Sequence, residues 1–324
     1  MTSQPKKKIL ILGGAGFLGA NLVRRCLKEP GVTVTVVDSL DPVLKSTTEN
    51  LKRVWDRITF VQGDIRDDAV LKQHVPGKDL IFNCAAQSSH PYSLENPTYD
   101  AEVNCVGTLK VLLAVRDTNP GAVVVYPSSS TMIGKAVQDV IDEAHGEKPL
   151  DIYSANKGVA EKYHRIFHTV YDLKTVVLRF ANLYGPLGKS DSAFGFMNYF
   201  IHLASGNKPI TVFGDGGQTR NVMFVDDATD IMVRSTEIPE LFGETYFAAH
   251  TDHHSVKEIA DAVVSAFGTG VVKSIPWPDV RKRIEIEKVL ISSARIQGLT
   301  GWKAKYDLYE GLKLTKERMI SGKY

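Results

Sequence analysis

The feature that most constrains this chain lies near its start. Ile9-Leu10-Ile11-Leu12 runs directly into Gly13-Gly14-Ala15-Gly16-Phe17-Leu18-Gly19, a spacing of GxxGxxG from Gly13 and GxGxxG from Gly14. An apolar strand, a glycine turn and a helical stretch over residues 17–28 together open a βαβ unit. Glycines let the backbone approach a pyrophosphate, and the helix N-terminus offers it unpaired N–H groups and a positive dipole. Gly13, Gly16, Phe17, Leu18 and Gly19 are therefore candidate dinucleotide contacts. Asp38 closes the second predicted strand, nineteen residues beyond Gly19. A carboxylate there accepts from both ribose hydroxyls of an adenosine and repels a 2′-phosphate, so NAD is expected over NADP. Gly63-Asp64-Ile65 ends the third strand, where a carboxylate and an apolar side chain can flank adenine.

The same alternation continues. Apolar, β-branched runs at 8–12, 33–38, 58–61, 80–85, 123–126 and 175–180 are separated by helical stretches such as 99–117 and 155–171. Continuous apolar strands between helices predict an α/β fold, a doubly wound parallel sheet covered on both faces. After Gly185-Pro186 the pattern loosens into short elements: a helix from Ser255, whose hydroxyl can cap it, a strand over 271–275 and a last helix from about Leu308. The expected division is a nucleotide-binding domain over 1–185 with a return segment at about 221–250. A smaller, discontinuous C-terminal substrate domain takes 186–220 and 251–324.

Chemistry beyond nucleotide binding centres on Tyr153-Ser154-Ala155-Asn156-Lys157, which puts a phenol and an ammonium on one helix face. A nearby lysine and a positive nicotinamide ring both favour the phenolate, making the tyrosine a base at neutral pH. Tyr126-Pro127-Ser128-Ser129-Ser130-Thr131 follows a strand and can deliver a hydroxyl to the reacting oxygen.

With these residues in place, the chain resembles the extended short-chain dehydrogenase/reductase family, in its nucleotide-sugar epimerase and dehydratase branch. The resemblance rests on the glycine loop, Asp38, Asp64-Ile65, Ala85-Ala86, Asn104 with Gly107-Thr108, the serine run, and Tyr153 with Lys157. Arg179, Asn182 with Tyr184-Gly185-Pro186, Gly214-Asp215-Gly216, Gln218 and Arg220 extend it. It implies a Rossmann-type fold, NAD as cofactor, Tyr153 as catalytic base and Lys157 as the group that holds the nicotinamide ribose. It further implies Ser129 as the catalytic hydroxyl, with Ser128 and Ser130 one step away. Asp64, Ile65, Ala85, Ala86 and Asn104 fall to the cofactor. Asn182, Arg220 and either Arg281 or Arg283 fall to the diphosphate of a nucleotide sugar, which an arginine fork suits. Ser88, Ser130 and His90 fall to the substrate side, His90 as a sugar contact, a plain loop residue or an additional proton-transfer group.

Departures from the family pattern narrow the reaction. Dehydratases of the branch carry Asp-Glu after the catalytic hydroxyl, and decarboxylases place a Glu at the second of these positions; Ser130 and Thr131 stand there. Epimerisation of a UDP-hexose or related sugar, at C4 by family analogy, is therefore expected, with C2, C3 and C5 open. Dehydration, decarboxylation, reduction and a non-catalytic NAD-binding regulator are the alternatives. Lys plus Arg (39) nearly balances Asp plus Glu (37), which argues against nucleic acid and anionic membranes as partners. No run of 18 apolar residues occurs, and the three cysteines, Cys26, Cys84 and Cys105, are too scattered for a disulfide framework. A cytoplasmic protein is expected. The helices at 99–117 and 154–171 carry apolar stripes that members of the resembled family use in a dimeric four-helix bundle, so the resemblance implies a homodimer, with burial inside one subunit as the alternative. His164 with His168, and His250, His253 and His254 in a predicted loop, are not expected to bind metal.

Overall fold

The computed structural model describes residues 7–277 and 288–322. Its strands are β1 (Lys7–Leu12), β2 (Val32–Asp38), β3 (Ile58–Gln62), β4 (Leu80–Asn83), β5 (Val123–Ser129), β6 (Lys174–Phe180), β7 (Asn182–Tyr184), β8 (Ile210–Phe213), β9 (Thr219–Phe224), β10 (Thr245–Ala248), β11 (His253–Ser255) and β12 (Val272–Ile275). Seven form one sheet in the order β10-β6-β5-β4-β1-β2-β3. β1 pairs in parallel with β2 and β4, and parallel pairing extends to β3 and β5. The order reverses beside β1, so the crevice for a ligand opens at the carboxyl ends of β1 and β4. Two smaller sheets, β11-β9-β7 and β12-β8, complete the strands.

Burial explains why the apolar runs became these strands. All of β4 and the last four residues of β1 are buried, so neither face of the sheet meets water at its centre. Leu10, Leu12, Ile81 and Val124 pack against Val111, Leu112 and Val115 of the helix Thr108–Thr118 and Phe167 of the helix Ile152–Tyr171. Burying each such side chain contributes roughly 1.5–3 kcal/mol. The helix Ile152–Tyr171 starts where the Asp151 carboxylate accepts the Ser154 N–H at 2.8 Å and ends at Asp172 in the left-handed region. Ser255 and Glu258 form a reciprocal cap on the helix Val256–Phe267, as the sequence suggests.

Three expectations change. The stretch 99–117 is not one α-helix: Pro97–Ala101 and Thr108–Thr118 flank a π-helical turn, Glu102–Gly107. The wider turn carries Asn104, whose amide donates to the Gln87 carbonyl at 2.9 Å. His253 and His254 lie in β11 and not in a loop, antiparallel to β9 with His253 opposite Asn221. The domain boundaries also differ. One compact unit is Met1–Ser129, Asp151–Arg179 and Thr229–Tyr246; the other is Ser130–Leu150, Phe180–Ala228 and Phe247–Tyr324. Residues 130–150 join the second unit because Met132, Ile133 and Ile141 pack with Phe247, Ala249 and Ile291.

The glycine loop leaves no room for side chains at Gly13 and Gly19. A Cβ on Gly13 would lie 2.5 Å from the Ala85 backbone nitrogen, and one on Gly19 would lie 2.3 Å from the Gly13 carbonyl oxygen. Gly19→Ala is expected to cost about 1–3 kcal/mol by overpacking and to weaken NAD binding. Thermal unfolding with and without NAD checks both; an unchanged Tm and unchanged NAD-induced stabilisation would contradict this packing.

Candidate active site

The first unit gathers most of the expected site. Gly16 caps the helix Phe17–Cys26 with no side-chain bond, and Phe17 and Leu18 in its first turn remain partly accessible. Asp38 is buried at the end of β2, where its carboxylate accepts the Ala15 N–H at 2.9 Å and the Leu40 N–H at 3.0 Å. It thereby ties the glycine loop to the neighbouring strand. Ala85 lies against Gly13, and Ala86 and Ser88 follow in the same partly accessible loop. Ile65 is buried against Gly107. Asp64 does not stand open: Arg66 grips it through Nε at 3.0 and 3.1 Å and through Nη2 at 2.7 Å. Burial would raise the Asp64 pKa, but these bonds hold it below the ordinary carboxylate range.

Tyr153 lies in the first turn of the helix Ile152–Tyr171, and Ser129 at the end of β5 hydrogen-bonds its phenol. Ser128 is buried, and its hydroxyl has no partner among the described residues. Ser130 belongs to the second unit. Of the three serines, Ser129 is therefore the one placed on the tyrosine. Lys157 is buried one turn further along; its Nζ donates to the Pro127 carbonyl at 2.7 Å and sits 3.9 Å from the Tyr126 ring centroid.

The electrostatics correct one expectation. The groups of the chain alone do not favour a Tyr153 phenolate. Burial pushes the phenol well above its usual value, the Asp100 and Asp151 carboxylates add to this, and the Ser129 bond opposes it. Lys157 is pushed down to about 7, chiefly by burial, with Glu161 the first of the carboxylates that resist the change.

Sequence reasoning missed the polar framework around the tyrosine. Asp100 is fully buried and accepts the side-chain amides of Gln87 at 2.6 Å, Asn156 at 2.7 Å and Asn104 at 3.1 Å. Asn104 keeps a buried carbonyl oxygen with no partner among the described residues. Arg179 and Glu161 form a buried, multiply bonded pair, with Nη2 to Oε2 at 2.7 Å. Asp151, the helix cap, also holds His90: Nδ1 lies 2.7 Å from its Oδ2. The His90 ring stands edge-on to Tyr153 at a centroid distance of 4.7 Å. A sequence signal for Asp151 did exist, because Asp immediately before a helical stretch favours an N-cap.

The remaining expected residues belong to the second unit. Asn182 on β7 donates to the Asn221 carbonyl at 3.1 Å, and Arg220 on β9 donates to the Thr219 carbonyl at 2.8 Å. Arg281 and Arg283 lie outside the described residues. His164 is buried and stacked on Tyr126, and His168 bonds the Leu173 carbonyl; both are structural. No group of metal-ligating side chains occurs among the described residues, and no described helix is long and apolar enough to cross a membrane. The cysteines are free.

The depressed Lys157 pKa makes stability depend on pH. The unfolded chain holds the lysine proton up to about pH 10.4, whereas the folded chain releases it from about pH 7. Below pH 7 the full penalty of a buried charge acts, and it fades as pH rises through this window. Lys157→Met is therefore expected to gain most relative to the parent near pH 6 and least near pH 10. Parallel thermal melts check this; a difference constant over that range would contradict the burial of the ammonium.

Comparison with known proteins identifies the family. Residues 9–246 match the NAD dependent epimerase/dehydratase family. UDP-glucose 4-epimerase of Mycolicibacterium smegmatis is 29% identical over 315 residues, covering 96% of this chain and 97% of that protein. CDP-paratose 2-epimerase of Salmonella typhi is 32% identical over 247 residues, covering 68% of this chain and 72% of that protein. The crystal structure of UDP-glucose 4-epimerase from Thermotoga maritima with UDP-glucose superimposes with a TM-score of 0.86 at 27% identity, covering 97% and 99% of the two chains. The chain belongs to the NAD-dependent epimerase/dehydratase family.

Proposed function

We propose that this protein is an NAD-dependent nucleotide-sugar epimerase, which inverts a hydroxyl-bearing carbon of the sugar, C4 in the first instance. The observation that carries the reading is the Ser129–Tyr153 hydrogen bond, with Lys157 one turn away and the glycine loop at the head of the same sheet. The named epimerase relatives support it.

The residues suit NAD. The loop from Gly13 to Gly19 admits a pyrophosphate where side chains would collide, the helix N-terminus at Phe17 and Leu18 faces it, and Asp38 is fixed for ribose hydroxyls. The unpartnered Asn104 carbonyl oxygen is a further acceptor on this side. Bound NAD supplies a reversible hydride acceptor and a positive ring. Tyr153 Oη takes the proton of the reacting hydroxyl and later returns it. Ser129 holds the phenol and the reacting oxygen in one line. Lys157, braced on Pro127, holds the nicotinamide ribose and stabilises the phenolate. Ser130, Asn182, Arg220 and Arg283 are assigned to the nucleotide sugar. Ser130 and Thr131 offer no carboxylate for water elimination, which separates this chain from the dehydratases of its family.

We also infer a cytoplasmic homodimer, supported by the exposed Ile166, Val170 and Tyr171 on the helix Ile152–Tyr171.

Proton NMR of the protein with UDP-, dTDP-, GDP- and CDP-sugars tests the reaction. A new anomeric signal rising to a fixed ratio without net reduction is expected, and the substrate that responds identifies the base, the sugar and the carbon. Tyr153→Phe is expected to lower turnover by about 10²–10⁴-fold while retaining NAD. Turnover unchanged by Tyr153→Phe would remove the mechanism, and silence with every sugar, NAD added, would remove the reading.

A further inference from the structure

Beside Tyr153 the chain carries a second titratable group that hydride transfer does not use. His90 opens the short helix His90–Glu95, and its side chain is 41% exposed. Its Nδ1 faces Asp151 Oδ2 at 2.7 Å, and Asp151 is itself mostly buried, with 17% of its side chain exposed. The other oxygen of that carboxylate is fixed by the Ser154 N–H at 2.8 Å, so the acceptor cannot swing away without uncapping the helix. Burial would raise Asp151, yet its bonds to His90 and Ser154 hold it below the ordinary carboxylate range.

Because Asp151 only accepts, a neutral His90 carries its proton on Nδ1 and leaves the Nε2 lone pair free; the described residues give Nε2 no partner. The imidazole stands edge-on to Tyr153, 4.7 Å between centroids, so the two titratable side chains are neighbours at one place. This division of labour among carboxylate, oriented imidazole and exposed Nε2 is that of a general base with its orienting partner.

We propose that His90, oriented by Asp151, is a second acid–base residue of this site, which exchanges the proton on the sugar carbon next to the one Tyr153 serves. The inference rests on the epimerase reading, which supplies the ketone. With that ketone in place, His90 Nε2 takes the proton of the adjacent carbon. The C–H electron pair moves into the C–C bond, and the carbonyl becomes an enolate. The imidazolium then returns a proton to the same carbon, so nothing is oxidised or reduced in this step. Exchange with water on the half-exposed ring replaces the original hydrogen by one from solvent. A sugar that turns over in the site presents either face, so the same residue permits inversion at that neighbouring carbon as well as at the first.

The test is turnover of the responding nucleotide sugar in D₂O by the NAD-loaded protein, followed by proton NMR and mass spectrometry. Inversion by hydride transfer alone brings no solvent deuterium onto carbon. The expected result is deuterium at one carbon adjacent to the inverted one. His90→Gln should lower the ratio of exchange to inversion, read in the same sample, by about a hundredfold. Asp151→Asn, which still caps the helix, should slow exchange with less effect on inversion. Inversion without deuterium, or exchange undiminished in His90→Gln, overturns the proposal and leaves the epimerase reading intact. Absence of both inversion and exchange overturns both. A readout independent of turnover is the ring tautomer: in ¹⁵N-histidine NMR the neutral His90 ring should carry its proton on Nδ1, and the Nε2–H form would overturn the proposal.

Discussion

The contact on which much of this site depends is one between two backbones. Gly13 and Ala85 approach so closely that no Cβ fits between them, and they lie at the carboxyl ends of β1 and β4, the strands flanking the switch in sheet order. Through Ala85 the cofactor loop is continuous with the segment bearing Gln87, Ser88 and His90. Gln87 in turn donates to Asp100 at 2.6 Å, which receives Asn156 from the Tyr153 helix. One steric constraint therefore aligns the glycine loop, the substrate-side loop and the tyrosine helix. A shift of about 1 Å in any of them would be felt by the others, the scale at which catalytic geometry loses efficiency.

The charges around the tyrosine follow a consistent logic. Asp100 and Asp151 both raise the Tyr153 pKa, while burial strips Lys157 of much of its hold on a proton. The protein alone thus keeps the Tyr153 phenol protonated, and a cationic ring beside it would act against that bias. Coupling of this kind confines strong basicity to the assembled site. The Asp151–His90 pair differs, because its carboxylate remains ionised and its histidine half-exposed.

Legibility in the sequence follows the range of the interactions involved. The six strands from β1 to β6 are legible because buried parallel strands read as unbroken apolar runs, and Ser255 announces its helix by a local cap. Tyr153, Lys157 and Ser129 are legible through their order along the chain. Asp100 and Asn156 are not: their bond spans 56 residues, and nothing in either neighbourhood requires the other. The π turn at Glu102–Gly107 is hidden because one added residue blurs a helical period without breaking it. The assignment of 130–150 to the second unit is hidden for a similar reason, since three apolar anchors in a polar stretch give no periodic signal.

The interleaving of the two units also bears on how the chain is made. Both units are built from three separate stretches, and the first receives its final piece, Thr229–Tyr246, only after two of the three stretches of the second have been synthesised. A ribosome releasing the chain from its N-terminus therefore cannot hand over a finished nucleotide-binding half. β10, at one edge of the large sheet, emerges after about three-quarters of the protein. Until then the side of β6 that will pair with it stays open, an unpaired edge of the kind that chaperones protect and aggregation exploits.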